Sequence, residues 1–315
     1  MIANTTIGNG AFRADVLAGL RRPQKRIPAK YFYDLAGSQL FEQITELDEY
    51  YLTRTEMGIF DRFSKEMAVL CGPRCLLIEL GAGNLVKART ILRHLERPAG
   101  FVPVDVSGEH LQAATQELSR EYPELDVMPV CADFLGAFPL PSVPAARRVV
   151  FFPGSTLGNF DPEEAEALLR RVARLVGPGG GMLLGVDLRK DPKVIAAAYN
   201  DSLGVTAAFN LNLLHRMNNE LGADFDADAF EHRAFYNRDE SRIEMHLVSL
   251  VDQRVRLGTA TIPFHAGETI HTENSYKFDA TELSRLAARC GLRTDAVWTD
   301  EKKFFATLYL TATLR

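Results

Sequence analysis

The chain lacks the marks of several functional classes. Four cysteines, at 71, 75, 131 and 290, are too few and too scattered over 315 residues for a disulfide framework, and they read as reduced, small apolar packing residues. Cys71 and Cys75 have no second Cys or His pair at zinc spacing, so no metal site is expected. No apolar run approaches the roughly 18 residues that a spanning helix needs. The N-terminus also lacks the compact apolar core of a signal peptide, so the expectation is a cytoplasmic chain with no membrane partner. Long basic runs are missing too. With 36 Lys and Arg against 41 Asp and Glu the net charge is −5, which argues against a nucleic-acid-binding surface. Arg21-Arg22 with Lys25-Arg26 reads as a solvated face, and there is no internal repeat or low-complexity segment.

Three phosphate and acyl chemistries are excluded in the same way. There is no Gly-Lys-Ser/Thr loop and no Gly-x-Ser-x-Gly elbow. The glycine turn Gly81-Ala82-Gly83-Asn84-Leu85-Val86 lacks the third glycine of a dinucleotide fingerprint.

What is present is an ordered series of strand ends. Leu76-Leu77-Ile78-Glu79-Leu80 is an apolar run of the kind buried on both faces of a parallel sheet, and it leads into Gly81-Ala82-Gly83, where backbone can approach a ligand. Phe101-Val102-Pro103-Val104 ends in Asp105, and Val127-Met128-Pro129-Val130-Cys131-Ala132 ends in Asp133-Phe134. Gly-x-Gly, Asp and Asp-Phe at three successive strand ends suit an adenosyl cofactor. The turn admits its amino-acid portion, Asp105 accepts from the ribose hydroxyls, and Asp133 meets the adenine amino group while Phe134 packs on the ring. S-adenosylmethionine carries no phosphate and fits these exclusions.

The α/β rhythm extends to about residue 190. Strand-like runs at 76–80, 101–106, 127–130, 148–153 and 181–187 alternate with helical stretches at 84–95, 108–121 and 162–176, a doubly wound pattern. From 191 to 275 it changes to a helical region at 192–221 followed by strands around 229–237, 241–251 and 253–264. An amphipathic helix at 280–290 and strands at 292–298 and 304–313 then return to the sheet as an antiparallel edge. The expected fold class is α/β, a Rossmann-like class I methyltransferase sheet of seven strands with an inserted α+β substrate-binding domain. Residues 1–190 and 276–315 form the first part and 191–275 the insertion.

Several separate segments carry a more specific likeness. They include Pro28-Ala29-Lys30-Tyr31-Phe32-Tyr33-Asp34, Gly37-Ser38-Gln39-Leu40-Phe41 and Glu49-Tyr50-Tyr51-Leu52-Thr53-Arg54-Thr55-Glu56. Phe152-Pro153-Gly154-Ser155-Thr156-Leu157-Gly158-Asn159, Gly204-Val205-Thr206 with Phe209-Asn210, Arg242-Ile243-Glu244-Met245 and Thr272-Glu273-Asn274-Ser275-Tyr276-Lys277-Phe278 extend it over nearly the whole chain. In these the sequence resembles the histidine Nα-methyltransferases that make hercynine in ergothioneine biosynthesis.

The resemblance implies roles residue by residue. Asn159 and Tyr199 match the family's substrate-carboxylate site, an amide and a phenol that both donate. Glu273 and Ser275 match its imidazole reader, and a spacing of two points both to one face of an extended strand. Tyr50 matches a further ring contact, Phe41 and Met245 match pocket-wall residues, and Tyr33 lies near the reacting amine. For the cofactor the pattern maps to Gly81, Lys87, Asp105, Asp133 and Phe134, with Gly83 in the same turn, and Lys87 meets the cofactor carboxylate.

The implied reaction is in-line displacement at a sulfonium methyl by the neutral α-amine of L-histidine, repeated up to the trimethylated betaine. Alignment is its main requirement, since a free α-amine already has a neutral fraction near neutral pH. Tyr33, or a water that it holds, is the candidate proton acceptor, although a phenol is ordinarily a weak base. The protein is expected to act as a monomer on a small molecule. Two alternatives stay open: a methyltransferase of the same fold acting on another amino acid or small amine, and a binding protein without catalysis.

Overall fold

A computed structural model describes residues 9–313. In chain order its strands are β1 (Lys25–Arg26), β2 (Cys75–Leu80), β3 (Gly100–Asp105), β4 (Val130–Cys131), β5 (Arg147–Phe152), β6 (Gly181–Asp187), β7 (Phe230–Asn237), β8 (Arg242–Ser249), β9 (Gln253–Leu257), β10 (Ala260–Phe264), β11 (Thr269–Tyr276), β12 (Leu292–Thr299) and β13 (Phe305–Ala312). The α-helices are α1 (Asn9–Leu20), α2 (Leu35–Glu46), α3 (Tyr51–Cys71), α4 (Val86–Leu92), α5 (Gly108–Glu121), α6 (Pro162–Val176), α7 (Pro192–Ala197), α8 (Val205–Leu221) and α9 (Ala280–Arg289). The chain divides into two compact units, one of Leu52–Arg189 with residues 276–313, the other of residues 9–51 with Lys190–Ser275.

The first unit is built on a seven-stranded sheet in the order β12-β13-β6-β5-β2-β3-β4. Strands β4, β3, β2, β5 and β6 run parallel, whereas β13 and β12 are antiparallel to their neighbours. This is the expected sheet with its antiparallel edge. Every residue of β2 is buried because alternate side chains enter two different cores. Leu76, Ile78 and Leu80 pack with Val102, Val150, Met182 and residues of α6 and α9, while Cys75 and Leu77 pack with Phe101, Phe151 and residues of α3, α4 and α5. The unit is therefore three layers, helices on both faces of one sheet. Each large apolar side chain so buried contributes roughly 1.5–3 kcal/mol.

Local signals place the helices. Asp161 and Glu164 form a capping box around Pro162, which starts α6. The third parallel strand is shorter than expected. Only Val130–Cys131 form β4, with a single bridge from Val127 to Phe101, because Pro129 has no N–H to give to a ladder. The helix expected at 84–95 is confined to α4, since Leu85 takes a left-handed conformation immediately before it.

The second unit holds a four-stranded sheet, β1-β11-β8-β7, and the β9–β10 hairpin. α8 packs on the sheet through buried Phe209, Leu213 and Met217. Two boundaries depart from the sequence reading. The run at 253–264 is two strands, turned at Gly258 (φ +60°), and the helical region at 192–221 is two helices, interrupted before Gly204 (φ +73°). The division of the chain differs as well. Residues 9–51, expected with the methyltransferase sheet, belong to the second unit, because β1 pairs in parallel with β11 at Lys25–Ile270 and Arg26–His271, and Asp34 accepts from the Asn212 amide at 2.8 Å. Residues 1–8 and 314–315 of the expected first domain lie outside the described residues.

Candidate active site

In the first unit the three sequence-predicted strand ends are neighbours, because β2, β3 and β4 are adjacent and parallel. After β2 the chain turns at Gly81 (φ +70°) and Gly83 (φ +53°), and the N–H groups of Gly81 and Ala82 donate to the Val104 carbonyl at 2.9 and 3.2 Å. Glycine suits both positions, since other residues rarely adopt positive φ. Asp105, ending β3, accepts from the Gly83 N–H at 3.0 Å through one oxygen and from the Ser107 N–H at 2.9 Å through the other. Asp133 accepts from the Leu135 N–H at 2.9 Å. Phe134 contacts Phe152 and Phe160 edge-on, and its ring edge is 3.6 Å from where a Cβ at Gly81 would stand.

Two carboxyl groups that the sequence reading did not single out lie beside this turn. Glu79 is 1% exposed in β2 and has one oxygen without a hydrogen-bond partner. Burial drives its carboxyl well above the ordinary range; Lys87 opposes this, and Asp105 and Glu56 add to it. Glu56 is fully buried and pairs with Lys87 at 2.7 Å. Asn159 ends a short 3-10 turn (Thr156–Asn159) that follows β5 and is half-buried.

A cofactor with a nucleoside and an amino-acid portion fits these groups. The space beside Gly83 is open, Asp105 keeps lone pairs beyond its two backbone hydrogen bonds, and Glu79 presents an unpartnered buried oxygen.

The second unit brings together most of the residues matched to a substrate pocket. Tyr33 meets Phe41 edge-on at 5.7 Å between ring centres, Phe41 meets Tyr50 at 6.2 Å, and Tyr50 meets Tyr199 at 6.3 Å. The Tyr199 hydroxyl then donates to Ser275 Oγ at 2.8 Å, in a buried contact. Five predicted residues from five chain segments thus form one connected series. Phe209, which the sequence reading left without a role, joins it by touching both Tyr33 and Phe41.

Behind this series is a buried polar frame. Asn210 donates to His232 Nδ1 at 2.9 Å and to the His246 carbonyl at 3.0 Å, and it accepts from the Thr272 hydroxyl at 2.8 Å. His232 Nε2 then meets the Tyr199 carbonyl at 2.9 Å, which fixes the tautomer and holds the tyrosine backbone. Glu49 accepts from both the N–H and hydroxyl of Ser202, tying the segment before Tyr50 to the one after Tyr199. Met245 is 1% exposed in β8, and its carbonyl accepts from the Thr272 hydroxyl.

Glu273 is half-buried in β11, and its carbonyl meets His271 Nε2 at 3.0 Å. β11 lies between β8 and the two-residue β1, which pairs with it only at Ile270 and His271. Strand alternation puts Glu273 on the same face as Ser275.

Glu244, His246 and His271 also bring one ligand atom each within 4.8 Å of one another. The geometry disfavours a cation. Glu244 already accepts from Asn237, Arg242 and His246, and the two imidazoles are stacked at 4.5 Å and 11°, so their in-plane lone pairs do not converge. Burial tends to raise the Glu244 carboxyl, but these hydrogen bonds outweigh it and hold it at about 2. His271 is lowered to about 4, first by burial and then by His246.

The model of a family described as histidine-specific, SAM-dependent methyltransferases matches residues 12–312. The chain belongs to that family. It is accordingly an S-adenosylmethionine-dependent methyltransferase. It is 44% identical over 298 residues to the histidine N-alpha-methyltransferase of Mycolicibacterium smegmatis, covering 92% of this chain and 91% of that protein. It is 29% identical to the ergothioneine biosynthesis protein 1 of Neurospora crassa, where 87% of this chain covers 32% of a much longer protein. A solved S-adenosylmethionine-dependent methyltransferase from Clostridium acetobutylicum superimposes with a TM-score of 0.51 over 88% of this chain and 99% of that one, at 12% identity, a likeness of fold alone. No helix among the described residues is long and apolar enough to cross a membrane.

Proposed function

We propose that this methyltransferase transfers methyl groups from S-adenosylmethionine to the α-amine of L-histidine, up to the trimethylated betaine hercynine, the first step of ergothioneine biosynthesis. The observation that carries the substrate assignment is the buried Tyr199–Ser275 hydrogen bond on the strand that also bears Glu273. A Ser hydroxyl can donate or accept, while the Glu273 carboxylate only accepts. One donor and one acceptor on one strand face match the two nitrogens of a neutral imidazole. An aliphatic side chain in their place would leave buried polar groups unpaired, which is the physical basis for rejecting it.

Asn159 and the Tyr199 phenol are assigned to the substrate carboxylate, Tyr50, Phe41 and Met245 to the pocket wall, and Tyr33 to the reacting amine. Gly81, Gly83, Lys87, Asp105, Asp133 and Phe134 are assigned to the cofactor, which when bound supplies an electrophilic methyl on a sulfonium. The protein's part is to orient and to exclude water. The edge-to-face aromatic series restricts the amine's position, so nitrogen, carbon and sulfur can be aligned without a strong base. The cofactor assignments fall in the sheet unit, and the side-chain reader, Glu273 and Ser275, falls in the second unit. The active species is proposed to be a cytoplasmic monomer acting on this small molecule, without nucleic acid or membrane.

The test is a mass-spectrometric assay of the purified protein with S-adenosylmethionine and an equimolar pool of the twenty amino acids. Mass gains of one, two and three methyl groups on histidine alone are expected. Methylation of another amino acid would keep the cofactor site and overturn the pocket assignment.

A further inference from the structure

Glu56 closes the Thr53-Arg54-Thr55-Glu56 segment in α3, to which no role has been assigned above. Its side chain has no solvent exposure. A buried carboxylate is costly unless its charge is balanced and its oxygens are hydrogen-bonded. Both conditions are met here. Lys87 Nζ is 2.7 Å from Oε2, and the Gly154 N–H donates to the two oxygens at 2.9 and 3.0 Å.

Two glycines make room for this arrangement. A Cβ at Gly185, within β6, would lie 2.1 Å from Glu56 Oε1, and one at Gly154 (φ +80°) would lie 3.0 Å from Lys87 Nζ. Four pieces of the sheet unit therefore converge on one carboxylate: α3, the first turn of α4, the turn after β5, and β6. Stability alone does not call for such construction, since a buried ion pair is often matched by apolar packing of the same volume. The outward end of the pair is the lysine, which keeps 24% side-chain exposure where Glu56 has none. An ammonium has three N–H donors, and the contact with Glu56 occupies one.

We infer that Glu56 is a positioning residue: it clamps the Lys87 ammonium and the Gly154 turn in place for the carboxylate of the methyl donor's amino-acid portion. The inference rests on the proposed assignment of Lys87 to that carboxylate. A lysine already held in one conformation loses less side-chain freedom when the ligand binds, so the clamp acts on affinity for the amino-acid portion and not on the nucleoside.

Calorimetric binding of two probes tests this. S-adenosylhomocysteine carries the amino-acid portion, and 5′-methylthioadenosine has the same nucleoside and thioether without it. Glu56→Gln is expected to weaken S-adenosylhomocysteine about tenfold, the loss of one charge-assisted contact, and to leave methylthioadenosine unchanged. Lys87→Met is expected to weaken S-adenosylhomocysteine at least as much, and adding Glu56→Gln to it should cost nothing further. Should Glu56→Gln not fold, Glu56→Asp, which keeps the charge but draws it back by one methylene, carries the same comparison. Unchanged S-adenosylhomocysteine affinity on altering Glu56, with Lys87→Met weakened, overturns the positioning role alone. Equal weakening of both probes reduces Glu56 to a structural role and also overturns it. If Lys87→Met leaves S-adenosylhomocysteine unaffected, the assignment of Lys87 itself fails.

Discussion

The two units hold their candidate ligand groups by different means. In the sheet unit the groups are fixed by backbone close in sequence: Asp105 takes the Gly83 and Ser107 N–H groups, and Asp133 takes that of Leu135. In the second unit they are fixed by side chains far apart in sequence, as Tyr199 is by Ser275, 76 positions away, and Phe41 by Phe209. A site held by local backbone depends on strand order and turn geometry, and tolerates changes in neighbouring side chains. A site held by side chains can be re-tuned one residue at a time, which suits the part that selects a substrate.

The sharpest test of this contrast is the proposed substrate reader. Replacing Glu273 and Ser275 together with Ala should reduce kcat/KM for histidine by on the order of 1000-fold, two buried hydrogen bonds at roughly 2 kcal/mol each, while affinity for S-adenosylhomocysteine is preserved. Competition between histidine and other amino acids would check it; a variant that kept its full preference for histidine would show that the imidazole is read elsewhere. Asp105→Ala is the counterpart in the sheet unit. It removes a proposed cofactor ligand and the acceptor for two backbone N–H groups, so cofactor affinity should fall by about 100-fold, with no change in which amino acid is preferred. Tyr199→Phe is milder. It keeps the ring contact with Tyr50 but removes the donor to Ser275, and KM for histidine should rise about tenfold with the melting temperature little changed.

The same contrast governs what could be read from the sequence. The seven-stranded sheet and the clustering of the candidate cofactor groups were legible because apolar runs end in Gly, Asp and Asp-Phe, and the parallel order of β2, β3 and β4 then brings those ends together. The second unit was legible only in part. The residues of Lys25–Arg26 carry no strand pattern, being two basic residues in a polar stretch, yet they pair with β11 and draw residues 9–51 out of the expected domain. Phe209 and Asn210 were noted as a segment, but ring contacts with Tyr33 and a hydrogen bond to His232 come from tertiary packing that no local spacing encodes. Glu56 was hidden for the same reason, since its partners lie on α4 and in the turn after β5. A glycine in the middle of β6 was the one available signal, for Gly185 lacks the side chain that Glu56 displaces.

The smallest predicted effect concerns acid, and here the two units should respond with opposite sign. His271, in the second unit, is held at about 4 when folded, below the ordinary imidazole value near 6.5. The unfolded chain therefore takes up protons first, so the stability contributed by the neutral ring is full above about pH 6.5 and is lost as pH falls toward 4. Glu79, in the sheet unit, is raised by burial, so the folded form keeps a proton that the unfolded chain releases. Its contribution is full below the ordinary carboxyl value and is lost as pH rises. Thermal melts of the wild type, His271→Gln and Glu79→Gln between pH 5 and 8 separate the two. His271→Gln should flatten the loss on the acid side, and Glu79→Gln should flatten the loss on the alkaline side. If instead the Glu79 variant moved the acid limb, the buried carboxyl would be ionised in the folded protein, and its unpartnered oxygen would have to be balanced by the Lys87 charge that is here assigned to Glu56.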